Sequence, residues 1–530
     1  MSIATVASRS LSGLTTSPVR VEVDLSPGLP NLTIVGLPST AVREARERVR
    51  AAIQNAGFSF PSARRVTVNL APADLPKDSG RFDLAIALGI LAAEGQIPPD
   101  ALQGRAFAGE LSLSGDLLPI RAGFVFGLSA LAEPGLRQLV LPAANARELA
   151  RLEAGDRIVV AAHLAEVVAA LKGEGDWQSV PMLPAQAAGA SARSAEDAPL
   201  AWADIQGQAE AKRAALLAAA GGHRLLLVGP PGVGKSMVAQ RLPSLLPPLS
   251  AQAACTVAAL QSLQQGTPVE ALADWGRPPY RAPHHSISMA ALIGGGQPIR
   301  PGELSLAHGG VLFLDELPEF NRAALEALRE PLETGEVRVA RVHDRQVLPA
   351  APLLVAAMNP CPCGFYGANH LTRHCACSPD QVARYRGRLS GPLLDRFDLA
   401  VQLAWPSATR ARADAEAQAQ ASEHAPPPSA EDVARAHARA MDRQGCLNAA
   451  LPVGDLRLHA PLQDTAQRLL AQSAEHLGWS LRVQHRLTRV ARTVADLADL
   501  PDGAPLGVSE VAAAISLRRA LDPPAALRAG

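Results

Sequence analysis

The 530-residue chain carries 50 Lys+Arg against 50 Asp+Glu and is 48% hydrophobic, which excludes a globally basic protein that holds nucleic acid by net charge. Six cysteines exclude a disulfide framework and point to a reducing compartment. No apolar run approaches the ~20 residues of a membrane-spanning helix, and Met1 to Arg9 lacks the basic and apolar regions of a signal peptide, so a cytoplasmic protein is expected.

At one domain per ~150 residues, three or four domains are expected. The first, residues 1–178, reads as mixed strands and helices. Alternation from Val19 to Leu25 predicts a half-buried strand, and Asn31 to Gly36 and Arg65 to Leu70 predict two more. A helix is predicted from Ser39 to Ala56, ended by Gly57, and a buried one from Phe82 to Leu91. The stretch from Leu75 to Ala87, with Lys77, Ser79 and Arg81, is similar to the active-site turn of Lon-type proteases, and Gly109 to Ile120 resembles the strand pair before their catalytic lysine. The resemblance implies an α+β domain of the Lon-protease-like, ribosomal S5-like kind. That family works through a Ser–Lys dyad, whose serine position falls on Arg81 and whose lysine position falls on Phe124. Protease activity is therefore not expected, although Lys77 and Ser79 leave an off-register dyad open, and the domain reads as a scaffold or docking unit. The Ala-, Ser- and Gly-rich residues 179–200 are the expected linker.

Residues 201–405 are organised around Gly229-Pro230-Pro231-Gly232-Val233-Gly234-Lys235-Ser236, which matches G-x-x-x-x-G-K-[ST]. An apolar run, Leu225 to Val228, precedes it, and a helix-like spacing from Met237 follows it, the context a P-loop requires. The glycines let backbone N–H groups turn inward as an anion nest, with Met237 opening the helix beyond. Lys235 is expected on the β- and γ-phosphates of ATP and the Ser236 hydroxyl on Mg²⁺. Downstream, Val311-Leu312-Phe313-Leu314 reads as a buried parallel strand ending in Asp315 and Glu316. At a strand's carboxyl end Asp315 would orient Mg²⁺ and Glu316 would polarise the attacking water.

A third strand, Leu353 to Met358, ends at Asn359, which fits sensor 1 of AAA+ ATPases, and Leu393-Leu394-Asp395-Arg396-Phe397-Asp398 follows. In that class the matching arginine, here Arg396, enters the neighbouring subunit's site, which implies a ring; a surface ion pair with Asp395 or Asp398 is the alternative. The blocks Tyr280-Arg281-Ala282-Pro283-His284-His285-Ser286, Arg300 to His308 and Met358 to Gly364 resemble magnesium-chelatase-like AAA+ proteins of the YifB/ComM type, over essentially the whole chain. The resemblance implies an α/β AAA+ core with an α-helical lid, a hexameric ring, and in the competence branch helicase-like migration of DNA branches. Two inserts offer local DNA candidates: His284 and His285 near Gly294-Gly295-Gly296, and Arg338, Arg341 and Arg345 on an alternating hairpin around His343-Asp344. Both inserts could equally be structural or touch neighbouring subunits.

Cys361-Pro362-Cys363 and Cys375-Ala376-Cys377 put four of the six cysteines into one loop, with His370 and His374 between. Tetrahedral structural Zn²⁺ is the reading for a reducing compartment, His374 could replace one thiolate, and redox-active disulfides are the rival. Cys255 and Cys446 read as buried small apolar residues. Residues 406–430 read as a second linker, broken by Pro426-Pro427-Pro428, and 431–530 as a helical lid with helices over 431–442, 460–477, 480–500 and 509–521. Arg482, Arg486 and Arg489 share one face of the third, and Arg482 fits best as the sensor-2 arginine that reads the γ-phosphate. The other two read as a solvated basic face or a DNA contact. The function expected is an ATP-driven DNA motor; the alternative is a chelatase-like or chaperone-like ATPase that remodels a protein partner.

Overall fold

The computed structural model describes residues 2–36, 40–73, 75, 80–181, 202–205, 207–264, 275–296, 299–340, 345–367, 373–405 and 429–521. Lys77, Ser79, Arg341, His343, Asp344 and His370 lie outside these, as do residues 182–200 and 406–428 of the two expected linkers.

The N-terminal region is built on one eight-stranded sheet. Its centre is the antiparallel run of Ser2–Ser12, Thr15–Pro27 and Arg64–Ala71. Asn31–Val35 closes one side in parallel, and Arg105–Phe107, Gln138–Pro142 and Ile158–Ala161 extend the other in parallel. Val19, Val21, Val23 and Leu25 are buried while the residues between them face outward, the period of two that the sequence predicts. The helix Asp83–Ala93 is apolar on every side, and it is buried along its whole length against the first two strands. Ser179, expected in the linker, instead pairs with Val159 in the edge strand Gln178–Ser179.

The opening strand is not legible in hydropathy because it turns Ser8, Arg9 and Ser10 inward. Ser8 Oγ donates to the Phe107 carbonyl at 2.8 Å, and Arg9 pairs with Glu133. The predicted hairpin over 109–120 forms as Glu110–Leu111 against Leu117–Leu118. Arg81 is buried over the Phe126 ring, and the buried Phe124 ring lies 6.0 Å from that of Trp275 in the following region. Neither position supplies a nucleophile or a base, and Phe124 serves contact between the two regions instead, where Arg121 Nε also donates to the Leu263 carbonyl at 2.9 Å.

Residues 202–405 hold a five-stranded parallel sheet in the order Tyr280–Arg281, Val311–Leu314, Leu353–Met358, Leu225–Val228, Leu399–Gln402. Leu225 and Leu227 pack into one core cluster and Leu226 and Val228 into another, so both faces are covered and the strand reads as a continuous apolar run. The strands after which Gly229, Asp315 and Asn359 follow end on one edge of this sheet, where α/β sheets bind ligands. Glu336–Ala340 and Arg345–Pro349 form the predicted hairpin, with Ala340 opposite Arg345.

The C-terminal helices are Ala430–Gln444, Asp464–Leu477, Leu481–Leu497 and Val508–Ser516. The second starts later than 460 because residues 461–463 are taken up in extended pairing with Leu506, whose N–H donates to the Pro461 carbonyl at 2.7 Å while its carbonyl accepts from Gln463 N–H at 3.0 Å. The last stops before 521, and the Leu517 carbonyl accepts from Ala400 N–H at 2.7 Å. Among the described residues, no helix is long and apolar enough to cross a membrane.

Candidate active site

The P-loop leaves its buried strand and turns through Gly232 and Gly234, at φ 78° and 96°. Both lie in the left-handed region that glycine enters without a Cβ penalty. Gly234 is the N-cap of the helix Lys235–Arg241. Lys235 Nζ donates to the Gly229 carbonyl at 2.7 Å, to the Pro230 carbonyl at 2.9 Å and to Asn359 Oδ1 at 3.0 Å. Burial holds its ammonium below the usual lysine range, against the pull of Asp315 and Glu316. Ser236 Oγ donates to Asp315 Oδ2 at 2.8 Å, and Asp315 Oδ1 accepts from Glu316 N–H at 2.9 Å.

These groups share a cleft of about 350 Å³, to which Pro231, Gly232, Gly234, Met237, Glu316 and Asn359 also contribute. Gly229 and Pro230 act through their carbonyls, and Val233 is buried, its carbonyl accepting from Gln208 Nε2 at 3.3 Å. The oxygens of Ser236 and Asp315 are hard donors at one point, a set that suits Mg²⁺. The cleft thus combines glycine backbone, an ammonium, a hydroxyl, two carboxylates and a polar amide.

His285, a DNA candidate in the sequence, has its Nδ1 3.2 Å from Glu316 Oε2. His284 stacks on it at 4.0 Å between ring centroids and stays exposed. Arg338 is 64% exposed on its side chain, with Glu336 at 3.4 Å. The strand Gly294–Gly295 lies against Glu336–Ala340, so the two inserts adjoin.

The arginines depart most from expectation. Arg396 is only 5% exposed: Nε donates to the Arg329 carbonyl at 3.1 Å, Nη1 to the Pro392 carbonyl at 2.6 Å, and Nη2 meets Glu333 at 2.9 Å. The carboxylate of Asp398 is taken instead by Arg486 at 2.7 Å and by Arg224 N–H at 2.9 Å. Burial alone would raise the Asp398 carboxyl, but Arg486, His223 and Arg224 outweigh it and hold it below the usual carboxylate range. Arg482, expected over the γ-phosphate, does not line the cleft of its own chain; it is 61% exposed and approaches Glu333 at 3.4 Å, beside Arg396. Arg486 and Arg489 are not a solvated face: Arg486 is buried, and Arg489 Nε donates to the Leu451 carbonyl at 2.8 Å. Asp398→Ala would strand Arg486 as a buried charge, and a loss of about 3–5 kcal/mol, read from the urea midpoint, is the expected result.

Glu333 is the residue that sequence reasoning misses, since nothing in its spacing ties it to Arg396 or Arg482.

The four loop cysteines converge, with all their sulfurs within 4.8 Å of one another. Cys361 Sγ lies 3.3 Å from Cys363 Sγ and 3.7 Å from Cys375 Sγ, and Cys363 to Cys375 is 3.5 Å. Four thiolates about 2.3 Å from one zinc stand about 3.8 Å apart, so the set fits a tetrahedral ion. Cys361, Cys363, Cys375 and Cys377 are free thiols here, their sulfurs farther apart than the about 2.05 Å of a bonded pair. Burial would raise the Cys363 thiol, but N–H groups of Phe365 and Ala376 pull it down to about 6, while burial and the neighbouring thiols push Cys375 to about 12. A divalent cation would let all four ionise together. His374 is exposed and is not part of the cluster. The loop abuts the cleft: Cys361 follows Asn359-Pro360, and a Cβ on Gly364 would stand 2.6 Å from Pro231 Cδ. Cys255 and Cys446 are half-buried and stand apart from it.

Comparison with known proteins shows the family. The family profile described as magnesium chelatase, subunit ChlI, matches residues 201–411, that of subunit ChlI of Mg-chelatase matches 21–145, and that of the subunit ChlI C-terminal region matches 427–518. The protein YifB of Salmonella typhimurium is 42% identical over 505 residues, and competence protein ComM of Haemophilus influenzae 43% over 498; each alignment covers 94% of both chains. The chain belongs to the YifB/ComM-type magnesium-chelatase-like family. A shorter likeness, 29% over 183 residues, covers 34% of this family member and 23% of a probable DNA helicase MCM9 from Arabidopsis thaliana. A P-loop α/β core of AAA+ kind and ATP with Mg²⁺ as its ligands follow from membership.

Proposed function

We propose that this chain is an ATP-hydrolysing motor that forms a ring, a homo-hexamer by family resemblance, and drives helicase-like branch migration of DNA in the cytoplasm during recombination and natural transformation. The observation that carries the reading is the convergence of Lys235, Ser236, Asp315, Glu316 and Asn359 on one cleft. Lys235 neutralises the β- and γ-phosphates, Ser236 and Asp315 hold Mg²⁺, Glu316 polarises the attacking water, and Asn359 places it. Mg²⁺ supplies charge neutralisation on the transferring phosphoryl group.

Arg396 and Arg482 lie off their own cleft and converge on Glu333, whose carboxylate is 40% exposed. Both therefore serve a neighbour's γ-phosphate, which takes the place of Glu333 when subunits meet. The four cysteines hold structural zinc and buttress Asn359 and Pro231. Cys361→Ser is expected to remove about one zinc per chain by elemental analysis, and to lower the melting temperature by more than about 4 °C. The N-terminal region, ending near residue 178, is a Lon-like scaffold, and the lid begins near 431.

The names competence protein and probable DNA helicase, borne by two relatives, support DNA as the substrate. Arg338 and the adjoining Gly294–Gly295 loop line the ring's path for it, and repetition around the ring concentrates their charge. A protein client is the second reading, favoured by Val347, which is apolar, 53% exposed and directly opposite Arg338 on the hairpin. ATP turnover against forked, single-stranded and duplex DNA separates the two. Forked DNA is expected to stimulate most, and Arg338→Ala to weaken DNA binding and lower its salt slope by about 1 for each phosphate no longer neutralised. Turnover indifferent to every DNA, yet stopped by Glu316→Gln, would select the protein client.

A further inference from the structure

A second cavity, of about 560 Å³, opens at the same edge of the parallel sheet and shares no described lining residue with the ATP cleft. The two lie on opposite faces of the sheet. Val228, which lines the second cavity, packs in the cluster of Leu226 and Met358, whereas Val238 and Ala239 of the P-loop helix belong to the cluster of Leu225 and Leu227. The ATP cleft ends at Asn359 and the second cavity begins at Pro360. Three parts of the chain wall it: the sheet edge, the cysteine loop with the helix Pro379–Arg386 that follows, and the C-terminal helices Asp464–Leu477 and Val508–Ser516.

The charge of this wall is one-sided. Arg386 is half-buried, its Nε donating to the Pro360 carbonyl at 3.2 Å and its guanidinium lying 5.8 Å from the centre of the Tyr366 ring. The C-terminal region adds Arg519 and His476, both exposed. Among the described residues no carboxylate lines the cavity, and none pairs with either guanidinium. Taking a guanidinium out of water costs free energy unless an anion answers it, and arginine stays charged at any working pH. Its planar fork matches the oxygens of a phosphate. Leu477 and Ile515 join Val228 as apolar wall, and Tyr366 offers a ring face. The volume falls within the ~300–1,000 Å³ of small-ligand sites.

We infer that this cavity is a second ligand site, separate from the ATP cleft, for a small phosphate-bearing molecule with a planar body, of the class of the nucleoside monophosphates. Arg386 and Arg519 take the phosphate, and Tyr366 with the apolar wall takes the body. A ligand bound there sits beside Pro360, the neighbour of the Asn359 that accepts from Lys235 in the ATP cleft.

The test is equilibrium calorimetry of AMP with the full chain carrying Lys235→Ala, which removes the cation of the P-loop and leaves the second cavity intact. AMP is expected to bind with a Kd of about 1 mM or tighter. Adenosine in place of AMP, or Arg519→Ala added to the same chain, is expected to weaken binding by about tenfold or more, the worth of one hydrogen bond to a charged group. Arg519 is exposed, so its removal leaves the fold in place. Arg386→Gln is expected to weaken binding in the same way, with thermal melting beside it to show that the chain is folded. AMP that fails to bind, or that binds the Arg519→Ala chain as tightly as the chain without that change, would overturn the inference. A 5′-phosphorylated oligonucleotide that binds through these arginines while AMP does not would overturn it too, and make the cavity a seat for a DNA end.

Discussion

Glu316→Gln is expected to cut ATP turnover by about 10²–10⁴-fold while ATP binding stays near the parent's, since glutamine keeps the shape of the cleft wall and loses only the base. The proposed phosphate cradle does not depend on Glu316: Lys235 is placed by the Gly229 and Pro230 carbonyls and Asn359, and Ser236 by Asp315. Phosphate release and equilibrium nucleotide binding measure the two halves separately. Loss of binding together with turnover would instead make Glu316 a metal-holding carboxylate and move the base elsewhere.

Arg396→Ala is expected to lower turnover by about 10³-fold, the low end of what an arginine at the transferring phosphate supplies. Arg396 does not line its own cleft, so nucleotide binding to the isolated chain should survive the change. Its bonds to the Arg329 and Pro392 carbonyls and to Glu333 raise a purely structural alternative. Thermal melting distinguishes them: a fall in kcat at an unchanged melting temperature marks a catalytic role, and a lower melting temperature with turnover retained marks a structural one.

The cleft is legible in the sequence because each part is local. A glycine nest needs its glycines a few residues apart, and a carboxylate at a strand's carboxyl end needs only an apolar run before it. The cysteine cluster is legible for the same reason, since Cys361 and Cys377 bound a single loop. The arginines are not. Whether Arg486 faces solvent depends on Asp398, 88 residues earlier, and its burial follows from that partner. Arg482 and Arg396 meet at Glu333 because the lid helix Leu481–Leu497 docks where it does, which no spacing encodes. His285 escapes for a similar reason, as only the parallel pairing of Tyr280–Arg281 with Val311–Leu312 brings it to Glu316. The opening strand hides behind its polar residues, and Ser8 is interior because Phe107 offers it a carbonyl.

If a neighbour's Arg396 completes each cleft, two inactive chains should restore one another when mixed. Glu316→Gln retains Arg396 and lacks the base; Arg396→Ala retains the base and lacks the arginine. Alone, each should be nearly inert. Mixed under conditions where subunits assemble, they should regain turnover, greatest near equal proportions, because a working cleft then faces an intact arginine. A mixture that assembles and remains inert at every ratio would contradict a shared site.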